Sequence, residues 1–278
     1  MRQPFPFDAR RYYYYPTETR GCKRSSNVGG AAFSLLSLSL FEAMEEQPDD
    51  ERKGVIDTFI LALVDAGVWD KLDCLYVFAA HTQQAALLNW KNPGTFDATI
   101  EGTPTFTTDE GFTGNGSDAL IDSNFNPTTA SSPNISQDDA CRFARVLAAG
   151  SDSVAAIWGS DVVGSQNRML LDSTAFSLRI HTGGTAVTGT GGAGFWLARR
   201  SGAASQEVFL DNSAAGSNTT ASSGMPNGNL TDLWSEGGAN FHAGQIASSG
   251  VGASLSDAQR TALYNAELAY MQAVGAVA

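Results

Sequence analysis

The chain has 278 residues, of which 42% are hydrophobic and 17% charged, so it can bury a sizeable core and is not wholly disordered. Its formal net charge of −12 argues against a nucleic-acid-binding protein, which normally carries a basic face. Three scattered cysteines predict neither a disulfide framework nor a zinc site, and no apolar run reaches the roughly 20 residues of a membrane span.

Residues 1–24 differ from the rest of the chain in charge and composition. They contain six of the seventeen basic residues, two acidic residues, and several aromatic side chains. Disordered tails are usually poor in aromatic residues. We therefore predict that residues 1–53 form an extended arm that docks on another protein; folding back onto its own domain is the alternative. Within that range, residues 31–47 mix small and apolar residues, which fits a short helix or a strand. The anchoring candidates are Arg10, Arg11, Tyr12, Tyr13, Tyr14 and Tyr15.

A helical pattern follows the break at Gln47 and Pro48. Apolar residues at positions 55, 56, 59, 60, 63 and 64 share one face at 3.6 residues per turn, and Gly67 can end that helix. Asp70 is a candidate N-cap for a second helix that reaches about Leu88. We predict a helical hairpin over residues 54–88.

From Asn89 onward, turn signals rich in Gly, Asn and Pro recur between short apolar or alternating segments. No helical crossovers separate these segments, so a parallel α/β fold is not expected. The pattern predicts a mainly β protein, an antiparallel β-sandwich or barrel. The predicted strands are 95–101, 104–108, 117–122, 142–149, 154–159, 168–173, 176–182, 194–199, 206–211, 229–234 and 240–247.

The chain ends with a second strong helical signal. Ser254 and Ser256 are both suitable N-caps, and an apolar stripe follows them to about Val274. We expect this C-terminal helix to pack on the sandwich or on the predicted hairpin.

Several runs resemble segments of structural proteins from tailed bacteriophages and prophages. They are Leu61-Ala-Leu-Val-Asp-Ala-Gly-Val-Trp-Asp, Asn92-Pro-Gly-Thr-Phe, Thr105-Phe-Thr-Thr-Asp-Glu-Gly-Phe, and Leu255-Ser-Asp-Ala-Gln-Arg-Thr-Ala-Leu-Tyr. In those proteins a helical hairpin precedes a concanavalin A-like (laminin-G-like) jelly-roll domain. The resemblance covers residues 55–278 and implies that residues 89–278 form such a jelly roll, closed by the C-terminal helix.

The resemblance also implies a function. A virion component is expected: a fibre, a spike, a tail protein or a capsid decoration. Its arm would bind other virion proteins (capsid, portal or tail), and its lectin-like domain would contact host-surface glycans. We expect a homo-oligomer that contacts neither nucleic acid nor membrane. A free carbohydrate-binding module is the alternative, and a polysaccharide hydrolase a weaker one.

Catalytic patterns are missing from the sequence. Jelly-roll glucanases carry their paired carboxylates as E-x-D-x-x-E on one strand, and no glutamate here has that spacing. The histidines at 81, 181 and 242 form no metal-binding pair, and no G-x-S-x-G elbow occurs. The glycine-rich run from Gly189 lacks a phosphate-loop lysine, so it reads as a strand connection. We predict no enzyme activity and no cofactor.

Carboxylates near predicted turns are the only candidate cation ligands. Calcium needs six to eight oxygens, and the sequence has no EF-hand pattern, so no metal is predicted. The carboxylates are Asp109, Asp118, Asp122, Asp172 and Asp211.

Tryptophan side chains supply the candidate glycan-binding residues, because aromatic faces stack on sugar rings. Trp158 and Trp234 lie at predicted strand ends beside loops. Trp196 follows Phe195, and the two must point to opposite faces of a strand, which leaves room for one of them to be exposed. Core packing is nevertheless the favoured interpretation for each of the three tryptophans.

Overall fold

The computed structural model describes residues 33–152, 154–162, 164–234 and 240–278. Its helices are α1 (Leu35–Ala43), α2 (Asp50–Asp65), α3 (Gln83–Leu87) and α4 (Asp257–Val274), with a short 3-10 helix at Trp69–Lys71. Its strands are β1 (Leu72–Val77), β2 (Thr99–Glu101), β3 (Thr105–Thr107), β4 (Gly111–Thr113), β5 (Leu120–Asp122), β6 (Ala140–Ala148), β7 (Ala156–Gly159), β8 (Asp161–Val162), β9 (Ser165–Leu171), β10 (Phe176–Thr182), β11 (Val187–Gly189), β12 (Gly194–Arg200), β13 (Gln206–Leu210), β14 (Ser213–Asn218), β15 (Thr231–Asp232) and β16 (Gln245–Gly252).

Two antiparallel sheets pack face to face. The first sheet has the order β14-β13-β12-β6-β16-β4-β3, and β1 pairs with β16 beside β4. The second has the order β11-β10-β9-β7-β15-β5-β2, with β8 paired to β9. The predicted mainly β, antiparallel sandwich with a C-terminal helix is confirmed.

Strand β6, in the middle of the first sheet, buries side chains on both of its faces. Arg142 points between the sheets, where its guanidinium lies beside Asp232. Arg145 points the other way and pairs with Glu267 of α4. The protein therefore has three layers, with α4 covering the outer face of the first sheet and α2 packed against α4.

Helix α4 is capped at both ends, and its N-cap is Ser256, one of the two candidates that the sequence suggested. Ser256 and Gln259 form a capping box, and Gly275 ends the helix with a φ of 83°. The helix packs on the sheet and on α2. In its contact with α2, the ring centres of Tyr270 and Phe59 lie 5.4 Å apart. No helix within the described ranges is long and apolar enough to cross a membrane.

The prediction of a second helix in the hairpin is wrong. Where a helix was expected from Asp70 to Leu88, the chain forms the 3-10 turn, strand β1 and the short helix α3. Strand β1 pairs with β16, and five of its six residues are buried. An apolar run that is covered on both faces has no alternating pattern, so periodicity cannot separate it from a buried helix.

The predicted extended arm is also wrong over part of its length. Residues 35–43 form α1, whose N-cap Ser34 receives a hydrogen bond from the backbone N–H of Ser37. Ser34 N–H in turn donates to the buried carboxylate of Asp57 in α2, at 2.8 Å. Helix α1 therefore belongs to the folded body. Residues 1–32, which carry the anchoring candidates, lie outside the described residues.

Candidate functional site

A cleft of about 280 Å³ opens beside the start of β1, between the loop of residues 89–97 and the loop of residues 123–135. We call it the polar cleft. It combines charged, amide and hydroxyl groups with aromatic rings. The lining residues that bear on its chemistry are Asp73, Asn89, Lys91, Asn92, Phe96 and Ser131.

Asp73 supplies the negative charge of the polar cleft. Its two carboxylate oxygens accept hydrogen bonds from the backbone N–H groups of Asn134, at 2.6 Å, and Ile135, at 2.9 Å. Burial raises the pKa of Asp73, and the two N–H groups and Lys91 oppose that rise. The carboxylate is thus held in one orientation and keeps acceptor capacity for a ligand hydroxyl.

Lys91 supplies the positive charge. Its ammonium donates to the carbonyl oxygen of Trp69 at 2.7 Å and lies 4.9 Å from the centre of that indole ring. Burial lowers the pKa of Lys91, and Asp70 and Asp73 act against that shift. An ammonium has three donors, so two remain for a ligand.

Phe96 is held in a strained backbone conformation at the wall of the cleft. Its φ is 58°, in the left-handed region that a bulky residue rarely adopts, and its ring packs edge-on against Phe125 at 5.2 Å. The hydroxyl of Tyr76 lies within hydrogen-bond distance of the carbonyls of Phe96, at 2.7 Å, and Ser123, at 3.0 Å. Tyr76 therefore joins the two loops and helps to hold the half-buried ring in place.

Asn89 organises the first of these loops. Its side-chain oxygen accepts from the N–H of Leu75, and its side-chain amide donates to the carbonyl of Thr95 at 2.9 Å. Asp97 accepts from the N–H groups of Asn89 and Gly94. These bonds fasten the loop to β1 and leave Asn92 exposed at its tip.

The second loop is also conformationally restricted. Asn124 and Ser132 have φ values of 56° and 54°, again in the left-handed region. The Asn124 side chain donates to the carbonyl of Asp97 at 2.8 Å, which ties the second loop to the first. Non-glycine residues that a well-connected setting holds in the left-handed region occur at preformed binding sites.

Together these groups suit a polyhydroxylated ligand. Sugar hydroxyls both donate and accept hydrogen bonds, and the cleft offers a carboxylate, an ammonium, an amide and serine hydroxyls. The ring of Phe96 can contact the apolar face of a sugar. Asp73 is the one carboxylate that lines the cleft within the described part of the chain.

Two of the predicted glycan-binding tryptophans lie in the core instead. Trp158 and Trp196 are 0% exposed, and both rings point between the sheets. Phe195, on the other face of β12, is covered by α4, where it meets Tyr264. Neither residue of the pair is exposed, because a helix covers the face of the sheet that the sequence pattern leaves open.

Trp234 is half-buried, and its ring stacks on Phe241 at 5.8 Å. Strand β15 runs antiparallel to β5, so the chain after β15, including Trp234, continues toward the start of β5. The cleft loop of residues 123–135 follows the opposite end of β5. Trp234 therefore lies away from the polar cleft. The glycan role of Trp234 stays a prediction.

The carboxylates considered as cation ligands are not brought together. Asp109 pairs with Arg52, Asp211 lies near Arg145, and Asp172 accepts hydrogen bonds from Thr174 and Ala175. Among the residues that the structure describes, no group of three or more His, Cys, Asp or Glu side chains could hold a metal ion.

Asp73, Lys91 and Phe96 carry no sequence motif that marks them as binding residues. The only local signal was the turn Asn92-Pro93-Gly94, which lies between Lys91 and Phe96. Asp73 was placed on a predicted helix, so nothing in the sequence suggested that it faces that turn.

No family model and no curated protein matches the chain. Among solved structures, the receptor-binding domain of botulinum neurotoxin C/D mosaic serotype matches with a TM-score of 0.51 and 10% identity, over 71% of this chain and 51% of that one. The botulinum neurotoxin serotype D binding domain matches with a TM-score of 0.50 and 8% identity, over 71% and 52%. The chain spans about half the length of these two domains.

Domain 4 of an extracellular GH43 arabinanase from Geobacillus stearothermophilus, in complex with arabinotriose, matches with a TM-score of 0.46 and 14% identity, over 69% of this chain and 98% of that one. At such identities the neurotoxin matches bear on the fold alone. They agree with a jelly-roll β-sandwich.

Proposed function

We propose that this chain is a non-enzymatic carbohydrate-binding domain that holds a sugar in the polar cleft, and that it serves as a structural component of a bacteriophage virion. The observation that carries the first part is the cleft itself, where Asp73, Lys91 and Phe96 are held around one opening on a jelly-roll sandwich. The neurotoxin domains of similar fold are receptor-binding domains, which agrees with a role in recognition.

A binding role is favoured over hydrolysis by the carboxylate content of the cleft. Glycoside hydrolysis commonly uses two carboxylates across the scissile bond, and within the described residues Asp73 alone lines this site. Turnover of any member of a polysaccharide panel, lost in Asp73→Asn, would overturn the non-enzymatic assignment.

Sugar binding in the cleft is tested with a glycan array, and the affinity for the most tightly bound sugar is then measured by calorimetry. Asn92→Ala removes an exposed amide, and Phe96→Asn removes the ring while keeping a residue that tolerates a positive φ. We expect each variant to bind about tenfold more weakly, a loss of about 1.4 kcal/mol.

Matched controls lie outside the cleft. Thr188→Ala changes an exposed side chain on β11, and Phe106→Asn removes a partly buried ring on β3. Both should leave affinity unchanged. A silent array, or full affinity in both cleft variants, would count against the proposal.

The virion role rests on the resemblance to phage structural proteins and on the composition of residues 1–24. Density-gradient sedimentation of particles from the native source, followed by mass spectrometry, should find the chain at stoichiometric level. Its absence would favour a free carbohydrate-binding module.

Deleting residues 1–32 leaves α1 and α2 intact, so that variant should fold but no longer enter particles. Normal incorporation would contradict an anchoring arm.

A further inference from the structure

An apolar groove of about 420 Å³, with no lining residue in common with the polar cleft, runs between α2 and α4. We call it the α2–α4 groove. Val55, Phe59 and Ala62 line one side, and Ala266, Ala269 and Tyr270 line the other. Phe59 and Tyr270 form the buried floor, whereas Ala269 is exposed.

Small residues keep this groove open. A Cβ atom built on Gly54 would meet no atom within 4 Å, and the alanines of α4 recur at helical spacing along the same face. Two amphipathic helices therefore leave a shallow apolar channel between them, of the size that binds side chains rather than whole domains.

The end of the groove near the start of α2 is acidic. Glu51 lines it, and Glu45, Glu46, Asp49 and Asp50 are exposed close by in the chain. The two basic residues of α2 are already engaged: Arg52 pairs with Asp109 at 2.7 Å, and Lys53 lies over the Phe41 ring. A basic and aromatic ligand complements this surface.

The chain itself carries such a segment close to the groove. The described residues begin at Phe33, and Ser34 and Ser37 both hydrogen-bond to Asp57, one turn along α2 from Gly54. The 32 preceding residues contain six basic and two acidic residues, with Phe5, Phe7 and a run of four tyrosines. At about 3.3 Å per residue they can span far more than the roughly 17 Å of α2 that borders the groove.

We propose that residues 5–15 of this same chain dock in the α2–α4 groove, with aromatic rings against Val55 and Phe59 and arginines toward Glu51. The tether makes this an intramolecular event with a high effective concentration, which favours the chain's own arm over that of a second copy. Docking buries the aromatic side chains of the free protein. The inference is independent of sugar binding, and it concerns the free chain rather than the assembled particle.

The first test places a photo-crosslinking benzoylphenylalanine at Thr58, an exposed residue at the rim of the groove, in the full chain. The same label at Asp65, exposed on α2 outside the groove, is the control. We expect position 58, and not 65, to crosslink to residues 5–15 within one chain, at the monomer mass. Crosslinks to a second copy, or none to the arm, would overturn the proposal.

The second test fills the groove. Gly54→Leu should release the arm and speed tryptic cleavage after Arg10 and Arg11 by about tenfold, because cleavage follows the population of the open form. Asp65→Leu adds the same side chain outside the groove and should leave the rate unchanged. Equal cleavage rates in wild type and Gly54→Leu would also overturn it.

Discussion

The two faces of β6 each bury an arginine, and they satisfy it differently. Under α4, the Nε of Arg145 lies 3.2 and 3.1 Å from the two carboxylate oxygens of Glu267, its Nη2 lies 2.5 Å from Oε2, and Ser248 donates to the same carboxylate at 3.0 Å. Between the sheets, Arg142 meets Asp232 through one contact of 3.2 Å, and among the described residues its Nη1 has no hydrogen-bond partner.

The difference between the two ion pairs shows which of them attaches one layer of the fold to another. Burial raises the pKa of both Glu267 and Asp232, and the arginines oppose the rise. A buried ion pair repays its desolvation only when the geometry is good and the remaining groups are bonded. The pair under α4 meets that condition and ties the helix to the sheet, whereas the pair between the sheets meets it only in part.

The largest expected effect on stability comes from breaking the ion pair between Arg145 and Glu267 under α4. Among the described residues, Glu267→Gln leaves the buried Arg145 with one charged partner, the partly exposed Asp211, 3.5 Å away. We expect a loss of about 3–5 kcal/mol in the free energy of unfolding, measured by urea denaturation. Gln272→Glu, on an exposed position of the same helix, is the control. A loss below about 1 kcal/mol would mean that α4 is held by apolar contacts alone.

The pH dependence of stability distinguishes the two buried carboxylates, Glu267 and Asp232, from the buried imidazole of His181. His181 is 0% exposed, and burial lowers its pKa to about 4 from the ordinary 6.5. As the pH falls from about 6.5 to 4, the unfolded chain binds a proton that the folded chain does not, so stability falls by up to about 3 kcal/mol. Glu267 and Asp232 act in the opposite direction, since a raised pKa adds stability as the pH falls through it.

Replacing His181 isolates its share of that slope. His181→Asn keeps a residue that tolerates the φ of 58° and a donor for the Gln137 carbonyl, which His181 Nδ1 meets at 3.0 Å. The pH dependence of unfolding between 6.5 and 4 should flatten in this variant. An unchanged slope would assign the acid sensitivity to other groups.

Breaking the pair between the sheets should cost less than breaking the pair under α4. Asp232→Asn keeps an acceptor for Ser249, which donates at 2.9 Å, and Arg142 keeps its bond to the Thr231 carbonyl. We expect a loss of about 1–3 kcal/mol by urea denaturation. The double variant Arg142→Met, Asp232→Leu should recover most of it. A greater loss in the double variant would show that this pair is net stabilising.

The smallest effect concerns the indole beneath Arg142. Trp158 Nε1 has no hydrogen-bond partner among the described residues, whereas Trp196 Nε1 donates to the Gly192 carbonyl at 2.9 Å. Trp158→Phe should therefore destabilise less than Trp196→Phe, by about 1 kcal/mol in thermal unfolding. Neither variant should change sugar binding. Weaker binding by a stable Trp158→Phe protein would return that residue to the glycan site.

Local patterns predicted most of the elements correctly. The apolar face at 55–64 identified α2, and the candidate N-cap Ser256 with the apolar stripe after it identified α4. The predicted strand 176–182 coincides with β10. Strand β14 was missed because its residues, Ser213–Asn218, are small and polar and lie at a sheet edge. Strand β1 was taken for a helix because burial on both faces removed its alternation.

The sequence by itself determined the mainly β class, the two long helices, and the opposite directions of Phe195 and Trp196, because helical and strand periodicity are properties of the local chain. Only the tertiary structure decided which faces are covered and where a site lies. Helix α4 buries a sheet face that the strand pattern leaves open, and the polar cleft joins Asp73 to loops about 20 and 60 residues away in the chain. Such contacts depend on how the layers pack, and packing leaves no periodic signal in the residues that it brings together.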